Sequence, residues 1–210
     1  MQIFEHVINQ AMRDILPHLS RYSHSFYLGG GTGLALRIGH RKSEDLDFFT
    51  TRSFDENLPA REIAGFQTIQ QYRGTVHGVL NGVRVSFLYY PVPLIKEPCH
   101  WEGIKIASIP DLIGEKFKTV SQRGAKKDFC DLYAAFNSGI SIQQGCQYFK
   151  QRFDNTGIQY YSVLKGLTYF EDAESDPEPV WLQTDFSNDW EDIKSFFIKN
   201  IKEFGKELIS

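Results

Sequence analysis

The chain has 210 residues, of which 41% are hydrophobic and 23% charged, and its formal net charge is −3. This composition predicts a globular protein and excludes one that coats nucleic acid by bulk positive charge. Cys99, Cys130 and Cys146 form no CxxC pair, which predicts a reduced, cytoplasmic protein without a zinc site. No apolar run approaches the roughly 20 residues of a membrane span, and the first residues do not resemble a signal peptide.

The first half of the chain predicts strands interspersed with short helices. Apolar residues at helical spacing predict an amphipathic helix over residues 3–19. A strand over 25–28 then leads into a glycine-rich turn, after which Thr32 is expected to cap a helix over 33–38. The remaining predicted elements of this half are a strand over 46–50, a helix within 53–64, and strands over 67–72, 75–80 and 83–90, the last two joined by a hairpin turn at 81–82.

The second half predicts helices. Ser108 with Asp111 three residues later resembles a capping box, so a helix is expected to run from there to about residue 120. Further helices are predicted over 127–137, 142–152 and 159–170, and a final one after Ser187 or Asn188, preceded by an acidic linker over 171–179. The sequence therefore predicts an α+β fold with a sheet-containing core over 1–98. A helical region over 99–210 is expected to pack against that core across the active-site cleft.

Two aspartates stand one residue apart on the predicted strand that follows the glycine-rich turn. Asp45 and Asp47 share one face of this strand, because side chains alternate between the two faces. Adjacent carboxylates repel each other unless a cation neutralises them, and Mg²⁺ prefers a few carboxylates together with phosphate oxygens. The pair therefore predicts a site for Mg²⁺ or Mn²⁺ that holds a nucleoside triphosphate. The alternative is a strand end with two solvated carboxylates.

The turn before this strand contains Gly30, Gly31 and Thr32 at the start of a short helix. Glycines allow a phosphate to approach the backbone closely, and a helix start directs N–H groups at anions. The turn is not a Walker P-loop, since no GKS or GKT is present. In the loop that follows, Arg41 and Ser43 are further candidates for nucleotide binding. A solvated basic loop, with Ser43 in local hydrogen bonds, is the alternative.

A third block of charged residues lies between 115 and 136. Asp128 and Asp131 share a helix face at spacing i, i+3. In the functional interpretation Lys116 binds phosphate, Asp128 orients Lys116 or the acceptor hydroxyl, and Arg123 and Lys127 bind the nucleotide. The basic loops near Arg41 and Lys126 are expected to receive the acceptor. The alternative is a helical hairpin held by surface ion pairs, each worth about 0–1 kcal/mol.

The segments YLGGGTGLALRIGHRKSEDLDFF, RGAKKDFCDLYAAF and LKGLTYFEDAESDPEP together resemble the AbiEii/AbiGii toxin family of nucleotidyltransferases. This family belongs to type IV toxin–antitoxin systems and is related to the DNA polymerase beta superfamily. The resemblance implies a minimal nucleotidyltransferase fold, with a mixed sheet and flanking helices, plus a helical C-terminal region. It also implies transfer of a nucleotide from an NTP to an acceptor hydroxyl, such as the 3′ end of a tRNA. An antitoxin encoded by an adjacent gene is the implied partner.

The resemblance also assigns roles to individual residues and shows one departure. Its motifs match Gly30 and Gly31 as the glycine pair, Asp45 and Asp47 as metal-binding aspartates, and Lys116 and Asp128 as further active-site residues. The superfamily usually carries a third carboxylate on a later strand, where this chain has Ser86. This departure implies a single tightly held metal, a ligand from elsewhere or weakened catalysis. A binding module without activity and a phosphotransferase that acts on protein therefore stay open as alternatives.

Overall fold

The computed structural model describes residues 2–209 of the chain. Their strands form one mixed seven-stranded sheet, and the helices flank it, so the predicted α+β fold is confirmed. The strands are β1 (Tyr27–Leu28), β2 (Asp45–Thr50), β3 (Gln67–Tyr72), β4 (Thr75–Leu80), β5 (Val83–Tyr89), β6 (Cys99–Trp101) and β7 (Ile104–Ile106). The helices are α1 (Gln10–Leu19), α2 (Gly30–Ile38), α3 (Leu58–Glu62), α4 (Ile109–Gln122), α5 (Lys126–Asn137), α6 (Ile142–Phe153), α7 (Tyr160–Gly166), α8 (Glu171–Glu174) and α9 (Trp190–Ile209).

Strand β2 lies in the middle of the sheet, whose order is β3-β4-β5-β2-β1-β7-β6. It runs parallel to β5 and antiparallel to β1, while β1 is parallel to β7. Leu46 and Phe48 are buried on one face of β2, whereas Asp45 and Asp47 are half-buried on the other. We call the face that carries the two aspartates the site face. The alternation of apolar and acidic residues in the sequence thus fixes which face of the sheet carries the site.

The buried apolar residues form two clusters that meet at α2. One cluster lies on the face of the sheet opposite the site face and includes α1, and it contains Leu36 of α2. The other contains Leu34 of α2 together with aromatic residues of the C-terminal helices, such as Phe117, Phe129 and Phe197. Helix α2 therefore connects the sheet to the helical region, and α4 and α5 both pack on it. This packing brings the helical region beside the aspartates.

Several predicted boundaries are wrong for local reasons. The first long helix begins at Gln10 rather than residue 3, because the Asn9 side chain caps it by accepting a hydrogen bond from the Met12 N–H at 2.9 Å. Helix α2 begins at Gly30, so Thr32 lies inside its first turn and does not cap it. The acidic segment predicted as a linker contains the short helix α8.

Two strands were not predicted at all. The strands β6 and β7 lie beyond residue 98 and complete one edge of the sheet, where Ala107 continues the contact by donating its N–H to the Leu28 carbonyl at 2.9 Å. Each strand has three residues, which is too short for a visible alternation of apolar and polar side chains. The division into 1–98 and 99–210 stays a prediction. None of the helices formed by residues 2–209 has the length and apolar character needed to span a bilayer.

Candidate active site

The two aspartates of β2 lie at the edge of an open cleft. The Asp45 side chain is 43% exposed, and its Oδ1 accepts a hydrogen bond from Arg84 Nε at 2.6 Å. Asp47 is less exposed, and burial raises the pKa of its carboxyl, an effect to which the Asp45 charge adds and which a hydrogen bond from Ser86 opposes. Desolvation and a neighbouring anion both disfavour the ionised form of Asp47. A cation at this position would favour it.

The carboxylate pair suits a magnesium or manganese ion that is shared with a phosphate. Among the described residues, no group of three or more His, Cys, Asp and Glu side chains is placed to hold a metal ion. Two carboxylates are nonetheless what Mg²⁺ commonly takes from a protein when substrate phosphates and water supply its other ligands. Since Arg84 contacts only Oδ1 of Asp45, the second oxygen of this carboxylate is left for a cation.

The glycine-rich turn faces this pair directly. Gly30 has a φ of +59°, and a Cβ added there would lie 3.0 Å from Asp47 Oδ2. A Cβ on Gly31 would collide with the guanidinium of Arg41. Both positions therefore require glycine, the first for its backbone conformation and the second for space. The first turn of α2 thus brings its backbone N–H groups and positive dipole end next to the aspartates.

Two hydroxyl groups tie the helix to the start of the strand. Thr32 donates a hydrogen bond from Oγ1 to the backbone carbonyl of Asp45, and the same oxygen lies 2.6 Å from Ser43 Oγ. Both residues line the cleft, and their role in nucleotide binding stays a prediction. Because their hydroxyls bond to each other, their visible role in this arrangement is to hold Asp45 in position.

A buried ion network forms the wall opposite the sheet. Asp131 is fully buried and lies 2.7 Å from His40 Nε2, 2.7 Å from Arg41 Nε and 2.6 Å from Lys116 Nζ. Although burial alone would raise the pKa of Asp131, Arg41 and Lys116 hold it well below its ordinary value. Burial would lower the pKa of Lys116, but Asp128 and Asp131 outweigh this effect and raise it. Asp131 and Lys116 are therefore both charged, and the network fixes their positions.

Asp128 connects this network to the solvent. Its Oδ1 lies 2.7 Å from Lys116 Nζ, and its two oxygens accept hydrogen bonds from Arg123 Nε and Nη2 at 2.7 and 3.0 Å. Asp128 is buried, whereas the Arg123 side chain is 64% exposed. The carboxylate therefore orients a lysine and an arginine toward the same cleft. Such a cationic wall suits the phosphates of a nucleotide.

The cleft has a volume of about 320 Å³ and brings together ten of the eleven predicted site residues. Gly30 does not line it but lies against Asp47, as described above. Arg41 lines the cleft with its guanidinium already bound to Asp131, and Lys126 is buried and paired with Glu178 at 2.8 Å. Both side chains are therefore already paired within the protein, and acceptor binding by the loops near them stays a prediction. The cleft residues are Gly31, Thr32, Arg41, Ser43, Glu44, Asp45, Asp47, Lys116, Arg123, Ala125, Lys127, Asp128, Asp176 and Pro177.

Sequence reasoning missed the central role of Asp131 and the contribution of Asp176. The i, i+3 spacing placed Asp131 on the same helix face as Asp128, which was the available signal. Nothing in the sequence showed that Arg41, ninety residues earlier, is its partner. Asp176 was assigned to a linker, but its carboxylate accepts the Lys126 N–H at 2.9 Å and the residue lines the cleft.

The chain is similar to a family of known proteins along nearly its whole length. The family described as nucleotidyl transferase AbiEii toxin, type IV toxin–antitoxin system, matches residues 14–87 and 82–204. An uncharacterized protein of Aquifex aeolicus (strain VF5) is 34% identical over 187 residues, which cover 85% of this chain and 87% of that protein.

Solved structures show the same fold at low sequence identity. The nucleotidyltransferase toxin MenT4 from Mycobacterium tuberculosis H37Rv superimposes with a TM-score of 0.55 at 15% identity, covering 94% of this chain and 86% of that one. JHP933 from Helicobacter pylori superimposes with a TM-score of 0.54 at 18% identity, covering 98% of this chain and 91% of that one.

Proposed function

Because the chain belongs to the AbiEii family of nucleotidyltransferase toxins of type IV toxin–antitoxin systems, we propose that it transfers a nucleotide from an NTP to an RNA hydroxyl. The 3′ end of a tRNA is the proposed acceptor, and the cytoplasm is the proposed place of action. The observation that carries this proposal is the pairing of Asp45 and Asp47 with a glycine-rich helix start and a cationic wall across one cleft. The family implies an antitoxin as the protein partner.

The triphosphate is expected to lie between the glycine-rich turn and the cationic wall. Lys127 is exposed and faces the cleft from the solvent side. Arg123 is also exposed, and its Nη1 group is the part of the guanidinium that Asp128 does not engage. Lys116 has three N–H groups, of which Asp128 and Asp131 engage two. The N–H groups at the start of α2 add neutral donors from the opposite side.

Asp45 and Asp47 would hold Mg²⁺ or Mn²⁺. When bound, the ion supplies charge neutralisation for the triphosphate and lowers the pKa of the acceptor hydroxyl. The acceptor oxygen forms a bond to the α-phosphorus, and the bond from that phosphorus to the β-bridging oxygen breaks. Pyrophosphate leaves, the hydroxyl proton passes to water, and the RNA gains one nucleotide. The protein contributes mainly position and charge, as is usual in phosphoryl transfer.

The proposed reaction can be tested with labelled nucleotides. The purified protein is incubated with Mg²⁺, total RNA and NTPs labelled at the α-phosphate, and the RNA is analysed for label. We expect label in a tRNA-sized band, and we expect Asp47→Asn to abolish it. Asp14→Asn, which alters an exposed carboxylate on α1, serves as the matched control and should leave transfer unchanged. RNA without label under all these conditions would contradict the proposal.

A second candidate function is nucleotide or partner binding without catalysis. It is favoured by Ser86, which takes the position of the usual third carboxylate and whose Oγ lies 3.0 Å from His77 Nδ1. The same experiment separates the two, because a binding module retains the NTP and transfers no label. A parallel incubation with γ-labelled NTP tests the phosphotransferase alternative, which predicts labelled protein rather than labelled RNA.

A further inference from the structure

A row of paired residues leads away from Asp47 across the outer strands. Asp47 pairs with Ser86 on β5, Ser86 pairs with His77 on β4, and His77 pairs with Gln70 on β3. Residues paired across adjacent strands point to the same face of a sheet. All four side chains therefore belong to the site face. The side of β3–β5 that carries Gln70, His77 and Ser86 is called the open sheet face below.

The open sheet face is accessible to solvent. All six residues of β3 are exposed, and Tyr72, which pairs with Thr75 on this face, is 62% exposed. His77 and Ser86 are half-buried, whereas their neighbours Val76 and Val85 are buried on the opposite face. Helix α2 packs on β2, and α4 and α5 pack on α2. The helices thus lie on one side of the aspartates, and the open sheet face lies on the other.

The charge of this part of the chain suits a polyanion. From Ile63 to Lys96 the sequence contains no Asp or Glu, although 26 of the 210 residues are acidic. Arg73 and Arg84 lie in the same stretch and are both exposed, Arg84 in an ion pair with Asp45. A carboxylate at position 86 would repel a phosphate backbone that approached Asp47, whereas the Ser86 hydroxyl does not. Acidic side chains from other segments reach only its margins, where Glu56 accepts the Gly74 N–H at 2.6 Å and Asp45 pairs with Arg84 at 2.6 Å.

The expected position of the triphosphate favours an acceptor that approaches from this side. In phosphoryl transfer the attacking and leaving oxygens lie roughly in line on opposite sides of the phosphorus. The cationic wall of Lys116 and Arg123 favours departure of pyrophosphate toward the helices. An attacking hydroxyl then has to enter from the sheet side of Asp47, which is the direction of Ser86 and His77.

We propose that the open sheet face binds the terminal nucleotides of the RNA acceptor. His77 and Gln70 donate or accept hydrogen bonds to the RNA, and Tyr72 stacks on a base, as exposed aromatic side chains do in single-strand binding proteins. This inference rests on the proposed function, because it assigns the acceptor of that reaction to a surface. It also gives Ser86 a role, since an uncharged residue there admits the RNA backbone beside the aspartates.

The helical side offers a competing surface for the RNA. A groove beside Arg123 is lined by Lys165 and Tyr169, and Tyr161 next to it is 61% exposed. Tyr161 therefore matches Tyr72 in residue type and exposure and differs in location. This pair allows the two surfaces to be compared by equivalent substitutions.

The test measures RNA binding without NTP or metal, so its outcome does not depend on transfer. Fluorescence anisotropy with a labelled tRNA is recorded at one fixed salt concentration for the wild type and for Tyr72→Ala, His77→Ala and Tyr161→Ala. We expect Tyr72→Ala and His77→Ala each to weaken RNA binding by about fivefold or more, while Tyr161→Ala changes it by less than about twofold. NTP binding should be unchanged in Tyr72→Ala and Tyr161→Ala, and thermal unfolding followed by circular dichroism shows whether all three variants are folded.

A cross-linking experiment locates the RNA end directly. An RNA with a photoreactive 3′-terminal nucleotide should cross-link to peptides within 67–89. Loss of RNA binding in Tyr161→Ala but not in Tyr72→Ala, with cross-links to 160–170, would overturn the inference in favour of the helical groove. Wild-type protein that binds RNA through Tyr72 but transfers no nucleotide would contradict the proposed function only. Transfer by Tyr72→Ala and His77→Ala with unchanged KM for RNA would contradict the inference only.

Discussion

At the scale of single residues, the cleft and the ion network behind it contain two contrasting carboxylates. The ionised form is disfavoured in Asp47, which lines the cleft, and strongly favoured in Asp131, which is buried behind it. Asp47 is held in an environment that raises its pKa, whereas Asp131 has a pKa well below the ordinary value. Asp47 has no ion pair of its own among the described residues, whereas Asp131 lies against Arg41 and Lys116. This difference separates a residue suited to bind a ligand from a residue that organises the site.

The raised pKa of Asp47 predicts that its charge destabilises the metal-free protein at neutral pH. A carboxyl whose folded-state pKa is raised costs stability as the pH rises through and above its unfolded value of 3.8. We therefore expect Asp47→Asn to raise the Tm of the metal-free protein at pH 7 by about 2 °C, since ~1 kcal/mol shifts Tm by about 2–4 °C at this size. Calorimetry with and without Mn²⁺ provides the measurement.

Addition of Mn²⁺ with a nucleotide should then raise the Tm of the wild type and leave Asp47→Asn unchanged, because a ligand stabilises only the folded state that binds it. The control is again Asp14→Asn, which should respond to Mn²⁺ as the wild type does. Equal stabilisation of wild type and Asp47→Asn by the ion would show that it binds elsewhere.

A substitution of Asp131 is expected to lower the stability of the protein, in contrast to the substitution of Asp47. Asp131→Asn would leave the charges of Arg41 and Lys116 with less compensation in a buried environment, which costs about 3–5 kcal/mol for broken buried pairs. We expect urea denaturation at pH 7 to give a free energy of unfolding that is lower than that of the wild type by this amount. The folded-state pKa is depressed, so this contribution is complete above the ordinary value of 3.8 and is lost as the pH falls below it. A variant as stable as the wild type at pH 7 would contradict the assigned role of the network.

At the scale of elements, the sequence predicted some turns well because their chemistry is local. The Asn81-Gly82 hairpin was predicted correctly, since the turn residues themselves have positive φ. The start of α2 was predicted three residues too late, since the helix begins at Gly30, whose backbone lies against Asp47 on β2. Strands β6 and β7 were missed because their three residues are specified by pairing within the sheet rather than by their own pattern.

The glycine-rich turn gives an element-scale prediction with a close control. Gly30→Ala and Gly82→Ala both place a Cβ on a backbone with positive φ, +59° and +82°. Only at Gly30 does the Cβ meet Asp47, since nothing lies within 4 Å of it at Gly82. We expect each variant to lose about 1 kcal/mol of stability. Gly30→Ala should in addition lose nucleotide binding, measured by calorimetric titration, whereas Gly82→Ala should retain it. Nucleotide binding that survives in Gly30→Ala would argue against a role of this turn in phosphate recognition.

At the scale of the whole molecule, the sequence indicated the fold and most of the cleft but not how its two walls are joined. The aspartate pair and the glycines could be found because their spacing of one or two residues has a direct geometric meaning. The contacts of Asp131 with His40 and Arg41 link residues about ninety positions apart, and no periodicity reports such a contact. The same holds for Asp176, whose segment has no strong pattern and comes to line the cleft only in the folded chain.

The way the two halves are joined also predicts the behaviour of a fragment. Tyr27, Leu34 and Ile38 belong to the apolar cluster of the helical region, and β7 covers the outer side of β1. A fragment of residues 1–98 would expose these side chains and the edge of β1. We expect it to lack cooperative thermal unfolding when followed by circular dichroism. A fragment that unfolds cooperatively would show that the first 98 residues form an independent domain.

Anomalous diffraction from a crystal grown with Mn²⁺ and a non-hydrolysable NTP analogue decides whether the aspartate pair is the metal site. The arrangement described here predicts a Mn²⁺ peak between the carboxylates of Asp45 and Asp47, in contact with the triphosphate, and none in Asp47→Asn. A bound nucleotide with no peak at these carboxylates, or with both of them turned to bulk solvent, would contradict it.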